Sequence, residues 1–320
     1  MVSLRFNNVY IKDWFSIIGP DEEKGNIKNA NYYLKDYYYG EKSFEAAEIK
    51  MQKTVLNCLK QKNDFNLVIG GDLSNQLGVM NSSLKDFNMS FLGLYNACAT
   101  FTESMIIASS LLTNRAISSS CVLSSSHMMT SEKQFRFPNE YNSLKACYST
   151  ITATGAIGAI LTNQQTNYKI TSATIGSVVD YGIKDVSNMG AVMAPAAASV
   201  IANHLYNLKR TMDDYNLVLT GDLGKLGLEL LKKVLVRDHG IITENIMDAG
   251  SIMYNAKQKK FMGGSGPICL PLVLFNKILK NKKVKRILIV GTGALHNPTL
   301  INQKNTIPAI AHAVEIEVIS

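Results

Sequence analysis

The stretch NLVIGGDLSNQ (Asn66–Gln76) recurs in the second half of the chain as NLVLTGDLGKL (Asn216–Leu226). Six of the nine positions from Phe65 to Leu73 are identical to those from Tyr215 to Leu223. Each copy is a short apolar run that ends in Gly-Asp-Leu, which predicts a buried strand with an aspartate at its carboxyl end. Because the strand and its ending recur together, the chain is predicted to contain an internal duplication.

The elements around the two copies follow the same order. Each half shows a helix before the repeated strand, then a turn into an apolar helix, then a strand beside a histidine. These stretches are 43–61, 91–114 and 118–127 in the first half, and 190–209, 261–283 and 284–298 in the second. The stretches 154–162 and 168–178 read as strands paired with each other. This alternation predicts an α/β protein with sheets covered by helices. Since no Pro-, Gly- or Ser-rich linker separates them, the halves 1–166 and 167–320 are expected to form one body.

Composition restricts the function. The 320 residues are 46% apolar and 18% charged, which is ordinary for a globular protein, and the formal net charge of +8 favours anionic partners. No nucleic-acid-binding motif is present, so nucleic acid is not an expected partner. Five scattered cysteines (Cys58, Cys98, Cys121, Cys147 and Cys269) indicate reduced thiols rather than disulfides or a metal site. No signal peptide or membrane-spanning run is found, so the protein is expected to be soluble or peripheral to a membrane.

Cys98 is the first candidate for chemistry. It lies in YNACAT, where a predicted strand passes directly into a buried helix. The amides and dipole at a helix N-terminus favour a thiolate, and small residues surround the cysteine, which favours a pocket position. The alternative is a free cysteine that acts as a small buried hydrophobe.

At this turn the sequence resembles the thiolase and β-ketoacyl synthase superfamily. YNACAT is similar to its nucleophile turn, TGAIGAILT to the strand that follows, and MGGSGPICLPLVL to its second glycine turn. The resemblance implies a five-layer αβαβα fold built from two duplicated halves. It also implies that catalytic members pair the cysteine with two second-half groups, His with His or His with Asn.

Those catalytic partners are missing here. The strand end that would supply the histidine carries Asp222, and the glycine turn offers Gly263, Gly264 and Ser265. An aspartate beside the thiol would raise its pKa and repel a developing oxyanion. Cys98 is therefore predicted to be a vestigial nucleophile, and acyl transfer is disfavoured.

A closer resemblance, over nearly the whole chain, is to the stage V sporulation protein AD family of spore-forming Firmicutes. It rests on GGDLSNQ, ACATFTESM, SSSHMMTSEKQFRFPNEY, NMGAVMAPAAA and GTGALHNPTLINQK, among other stretches. The resemblance implies a protein that binds dipicolinic acid (pyridine-2,6-dicarboxylic acid) and takes part in loading that anion into the developing spore. Together with the missing catalytic partners, it predicts a non-catalytic protein that needs no cofactor. It also implies that the protein acts together with the membrane proteins of a spore channel complex. The implied location is the cytoplasmic side of, or peripheral to, the spore inner membrane. Members of the superfamily are typically homodimers, so a homodimer is a possible state by analogy.

An anion site requires cations, amides and hydroxyls. Besides Cys98 and the glycines of the second turn, the candidates for ligand binding are Asp72, Asn75, Gln76, His127, Lys133 and Arg136. Arg136 could grip a carboxylate bidentately, or it could pair with a neighbouring glutamate in a solvated loop. His127 could be a ligand at a strand end or a structural histidine.

Asp72 could line the pocket, bridged to the ligand by Ca2+, or it could be a turn residue that binds the following amides. Asn75 and Gln76 differ from Lys225 and Leu226 of the other copy. This asymmetry suggests that only the first half kept a site. No metal site is predicted from the protein's own residues.

The run from Lys277 to Arg286 carries six cations. It is interpreted either as a solvated helix end or as a contact with anionic lipid or an acidic partner. Two other functions remain open. One is an active acyl-thioester synthase or thiolase that uses Cys98 with His296 or His312, and the other is a purely structural subunit that has lost its ligands.

Overall fold

The computed structural model describes residues 1–135 and 146–319. The strands in these ranges are β1 (Val2–Arg5), β2 (Tyr10–Ile18), β3 (Tyr32–Tyr33), β4 (Leu67–Gly71), β5 (Ser90–Gly93), β6 (Ser119–Ser126), β7 (Ile151–Thr152), β8 (Gly155–Thr162), β9 (Tyr168–Ile175), β10 (Leu217–Thr220), β11 (Ile246–Asp248), β12 (Gly264–Ser265), β13 (Arg286–Ala294) and β14 (Ala309–Val318). The α-helices are α1 (Pro20–Lys24), α2 (Phe44–Lys60), α3 (Gly78–Leu84), α4 (Thr100–Thr113), α5 (Met128–Phe135), α6 (Met189–Leu208), α7 (Gly224–His239), α8 (Ala249–Met253), α9 (Cys269–Val273) and α10 (Pro298–Asn302). A π-helical turn, Leu274–Ile278, continues α9.

The strand order confirms the predicted duplication. In the first half the order is β2-β8-β6-β4-β5, and in the second it is β9-β14-β13-β10-β11. Counted along the chain within each half, the first strand (β2 or β9) pairs antiparallel with the fifth (β8 or β14). The fifth pairs antiparallel with the fourth (β6 or β13), and the remaining pairs are parallel. The two sheets meet where Tyr10 and Ile11 pair with Lys169 and Tyr168. The boundary at residue 166 stays a prediction, and β1 crosses to pair with β9 of the second sheet.

The helices form three layers around the two sheets, as the five-layer prediction requires. α2 packs on the outer face of the first sheet with a core that includes Met51 and Val55, and α6 packs on the outer face of the second with a core that includes Val200 and Ile201. α4 contacts strands of both sheets and packs against the α9 segment, where the rings of Phe101 and Phe275 meet edge to face. α4 is thus buried on most sides, which explains its low charge.

One predicted strand pair was wrong. β8 and β9 do not pair with each other, because β2 lies between them and pairs with both. β8 is the last strand of the first sheet along the chain and β9 is the first strand of the second. The chain therefore passes from one sheet to the other in the short connection between them. The small residues of β8, which had suggested close strand contact, instead admit α2, since a Cβ on Gly158 would lie 2.8 Å from Leu59 and Val55.

The helices described in the structure include none that is both long enough and apolar enough to cross a bilayer.

The outer helices α6 and α7 touch through two glycines. A Cβ on Gly227 would lie 2.7 Å from the Cα of Gly190, and one on Gly190 would lie 2.4 Å from the carbonyl oxygen of Leu223. Backbone atoms cannot move aside as a flexible side chain could, so this contact requires glycine on both helices.

We expect Gly227→Ala to lower the free energy of unfolding by about 1–3 kcal/mol, because the added methyl group forces the helices apart. Gly78→Ala is the matched control: this glycine has helical φ and ψ, and the nearest atom to a new Cβ is Ser74 Oγ at 3.6 Å. The control should leave stability unchanged or raise it by up to about 1 kcal/mol. Urea unfolding measures both, and equal midpoints for the two variants would contradict the packing argument.

Candidate functional site

Cys98 lies in a tight turn between β5 and α4, as predicted. The turn is a 3₁₀ segment, Ala97–Ala99, in which Ala97 adopts a left-handed φ of 50°. The Thr100 hydroxyl holds the turn, since it donates to Ala97 O at 2.8 Å and accepts from Asn96 N at 3.1 Å. This arrangement leaves the residue half-buried.

The thiol of Cys98 lies beside the carboxylate of Asp222, which follows β10. Asp222 accepts from Gly266 N at 3.0 Å and from Thr292 Oγ1 at 2.8 Å. Burial raises the pKa of Asp222 to about 6, and these donors limit the rise. Burial and the Asp222 charge hold the pKa of the Cys98 thiol well above its ordinary value. The centre therefore holds a protonated thiol, as the sequence predicted for a cysteine beside an aspartate.

Asp248 frees Asp222 for this contact. At the end of β11 it accepts from Leu223 N at 2.8 Å, Gly224 N at 2.9 Å and Ser251 N at 2.8 Å. Burial raises the pKa of Asp248 to about 7. Because Asp248 takes the amides that follow the repeated strand, the Asp222 side chain can face the first half. The second copy, which we expected to have lost its site, thus supplies the carboxylate beside Cys98.

The second glycine turn lies against the same centre through its backbone. Gly263 O accepts from Ile151 N at 2.9 Å, and Gly264 pairs with Ile151 in the small β7–β12 sheet. Gly263 has φ 123°, and a Cβ there would lie 2.3 Å from Gly250 O. Because these residues are glycines, the backbone can follow the tight path that brings Gly266 N to Asp222. A role in ligand binding stays a prediction for Gly263 and Gly264.

Asp72 of the first copy binds its own turn. It accepts from Ser74 N and Met80 N, both at 2.7 Å, and from the Ser74 hydroxyl. Its side chain is fully buried, and burial raises its pKa. This is the turn alternative considered for Asp72 from the sequence. Asn75 and Gln76 follow with exposed side chains, and their ligand-binding role stays a prediction.

His127 is buried and hydrogen-bonded on both ring nitrogens. Met129 N donates to Nδ1 at 3.2 Å, so the neutral ring carries its proton on Nε2, which donates to Tyr37 O at 2.9 Å. Burial lowers the His127 pKa. Lys133 forms an ion pair with Glu45 at 3.0 Å. None of the described contacts of His127 or Lys133 reaches Cys98, and Arg136 lies outside the described residues.

Sequence reasoning missed a polar cluster beside the cysteine turn. His312 Nε2 lies 3.0 Å from the side-chain amide of Asn96, and its Nδ1 accepts from Gly176 N at 3.1 Å. Burial lowers the pKa of His312 to about 4, and Glu103, with a pKa raised by burial, also bonds Asn96. The only sequence signal was His312 as a possible partner of Cys98. In the structure its hydrogen bond goes to Asn96.

Three surface cavities of about 690, 350 and 460 Å3 are each lined by residues away from the cysteine turn. Within residues 1–135 and 146–319, no group of three or more His, Cys, Asp or Glu side chains is arranged to hold a metal ion.

Two duplicated sheets around a central helix layer, with a cysteine turn at the start of the central helix, define a thiolase-like α/β protein. Solved structures agree with this fold. A variant of OleA from Xanthomonas campestris superimposes with a TM-score of 0.62 at 15% identity, covering 98% of this chain and 99% of that one. 3-Oxoacyl-[acyl-carrier-protein] synthase III from Aquifex aeolicus VF5 gives 0.57 at 14% identity, covering 97% and 99%.

The sequence matches the family described as Stage V sporulation protein AD (SpoVAD) over residues 2–317. It is 37% identical over 320 aligned residues to Stage V sporulation protein AD of Bacillus subtilis (strain 168), covering 97% of this chain and 94% of that protein. The chain therefore belongs to the stage V sporulation protein AD family, a family of sporulation proteins.

We expect Cys98 to react with iodoacetamide far more slowly than the exposed Cys147 at about pH 8, because its thiolate is scarce. Asp222→Asn should raise the Cys98 rate roughly tenfold, since it removes the charge that raises the thiol pKa. Peptide mass spectrometry over a time course measures both sites.

Thr292→Val is the matched control, because it removes a hydrogen bond to Asp222 and keeps the charge. Its Cys98 rate should stay close to wild type. A wild-type Cys98 that is alkylated as fast as Cys147 would contradict the proposed state of the centre.

Proposed function

We propose that this protein binds dipicolinate without chemical turnover, and that the anion occupies the region of the Cys98 turn. Membership in the stage V sporulation protein AD family gives the sporulation context. The ligand, its loading into the developing spore and its accompaniment by Ca2+ extend beyond that membership and are part of the proposal.

The observation that carries the non-catalytic part is the Cys98–Asp222 contact. Acyl transfer needs a thiolate and donors for an oxyanion. Here the thiol pKa is raised, and the Asp222 carboxylate lies beside the sulfur that would have to attack. The nearby His312 bonds Asn96 and has a pKa of about 4, so at neutral pH it carries no positive charge to offset Asp222.

Two features of the centre favour an anion as its ligand. The start of the buried helix α4 has no side-chain cap, and its dipole places partial positive charge at the turn, which favours a carboxylate there. Asp222 has a pKa of about 6, so one proton neutralises it at mildly acidic pH. The net charge of +8 adds a favourable long-range field.

The proposal includes action beside a membrane, together with the membrane proteins of the spore channel complex. It also includes a location at the cytoplasmic side of, or peripheral to, the spore inner membrane.

Calorimetric titration with dipicolinate, with and without Ca2+, tests binding. We expect saturable binding that needs both ligand carboxylates, so pyridine-2-carboxylate should bind at least tenfold more weakly, the equivalent of about 1.4 kcal/mol. Cys98→Ala should also weaken binding, because it changes the shape of the turn, whereas Cys58→Ala, on the outer helix α2, is the matched control. Absence of heat and of any thermal shift would refute the ligand assignment.

Binding should also depend on pH through Asp222. The protonated form dominates below a pKa of about 6, and a dianion prefers a neutral neighbour. Affinity should therefore fall as the pH rises from about 6 to 8, by up to about tenfold per unit for one linked proton. Asp222→Asn should remove this dependence and bind at the higher pH at least as tightly as wild type. A wild-type affinity that is constant over this range would place the ligand away from Asp222.

A further inference from the structure

The cationic run from Lys277 to Arg286 begins in the π-helical turn that continues α9, passes through the loop 279–285 and ends at the first residue of β13. Its apolar residues, Ile278, Leu279 and Val284, are at most 8% exposed and anchor the loop in the core. The five lysines point outward, and all are exposed: Lys277, Lys280, Lys282, Lys283 and Lys285. The loop therefore presents ammonium groups from a fixed backbone, with no apolar side chain of its own at the surface.

These lysines lack acidic partners in the described part of the chain. None forms an ion pair with a carboxylate there, whereas Arg286 is engaged by Glu317 at 3.0 Å and Glu315 at 3.6 Å. The start of β9 contacts the loop, since the Tyr168 hydroxyl donates to Leu279 O at 3.5 Å, and half-buried Lys169 follows Tyr168 in this strand. Asp13, the nearest acid on β2, accepts from Asn63 at 2.9 Å. The charge of the loop is thus available to a partner.

The only tryptophan of the chain lies under this loop. Lys280 Nζ is 5.3 Å from the centre of the Trp14 ring, which stacks on Phe275 and meets Tyr168 edge to face. Trp14 is half-buried, so its fluorescence reports on contact with this surface.

The loop is remote from the cysteine centre. β13 begins at Arg286, beside the loop, and reaches Thr292, which bonds Asp222. Six residues of strand separate the two by roughly 20 Å. A partner on the loop leaves the region of Cys98 uncovered.

We infer that the Lys277–Lys285 surface docks the protein on an anionic lipid bilayer, with the Cys98 centre directed away from the lipid. This inference deepens the membrane location in the proposed function and does not depend on dipicolinate binding. Each lysine near an anionic membrane surface contributes a modest attraction, and several together give reversible, salt-sensitive binding. Since no apolar anchor is exposed in the loop, binding is electrostatic.

The chemistry of the loop favours a bilayer over a discrete phosphate ligand. The three surface cavities include no residue of the loop, and its one arginine is already paired, so no bidentate phosphate site is present in the described residues. Lysines act as point charges spread over a surface, which suits many mobile headgroups. The loop also presents no helix or hairpin suited to a nucleic-acid groove.

Vesicle flotation tests the inference with the full chain. We expect binding to vesicles that contain phosphatidylglycerol, none to phosphatidylcholine alone, and release at high salt. The triple variant Lys280→Glu, Lys282→Glu, Lys283→Glu should weaken partitioning by at least about 100-fold, from about fivefold per lysine. Trp14 emission of the wild-type protein should change on anionic vesicles, because Lys280 lies over its ring.

The matched control is Lys225→Glu, Lys257→Glu, Lys259→Glu, which lowers the formal net charge of +8 by the same six units at exposed lysines near the other end of β10. This control should keep most of the vesicle binding. Equal loss in both triple variants, no vesicle binding by the wild type, or tighter binding to duplex DNA than to vesicles would overturn the inference. Thermal melts confirm that each variant is folded. Dipicolinate titration of the Lys280/Lys282/Lys283 variant distinguishes a failure of the lipid-docking inference from a failure of the dipicolinate proposal.

Discussion

The carboxylate of Asp222 joins the two halves of the molecule at the cysteine turn. It accepts from Gly266 N and Thr292 Oγ1 of the second half and lies beside the Cys98 thiol of the first. A buried carboxylate is costly unless each oxygen is hydrogen-bonded, so these donors must stay in place. The glycine turn, the end of β13 and the start of α4 are therefore held in one geometry by one side chain. That geometry fixes both the position of the thiol and its protonated state.

The duplicated Gly-Asp-Leu sequence shows how one motif acquires two roles. Asp72 binds the amides of its own turn, which is the expected use of an aspartate after a strand. Asp222 is released from this use because Asp248 binds Gly224 N, the counterpart of Ser74 N, together with Leu223 N. The strands remain equivalent, while the two carboxylates face different partners. The two strands thus keep the same backbone arrangement, which packing requires. The hydrogen bonds of the two turns differ, because one additional side chain, Asp248, binds the turn amides of the second half.

Local features were predictable and long-range compensation was not. The Cys98 turn followed from a strand broken at Asn96 among small residues, and the role of Asp72 followed from its own neighbours.

β14 was missed because it buries Glu315, which sequence patterning assigns to the surface. Burial disfavours that charge, but bonds from His204, Tyr215, Thr171 and Arg210 hold its pKa at about 2. β2 was missed for a related reason, because Lys12 and Asp13 interrupt its apolar pattern at a bulge. Likewise, the pairing of Lys133 with Glu45 joins residues far apart in sequence, so its availability to an anion could not be judged beforehand.

The same energetics decide whether Asp222 could serve as a base for Cys98. A base must take the thiol proton, yet the pKa of Asp222 is about 6 and that of Cys98 lies well above its ordinary value. Proton transfer is uphill by several pKa units, at about 1.4 kcal/mol each, before any substrate is attacked. The resulting thiolate would then lie beside neutral Asp222. The oxyanion formed by its attack on a carbonyl carbon would have no cationic donor from His312, since the pKa of His312 is about 4. An incoming dianion meets the opposite situation, because a single solvent proton on Asp222 removes the repulsion at small cost. The centre is therefore poorly suited to making a thiolate, whereas the proposed binding of a dianion requires only that Asp222 take up a proton.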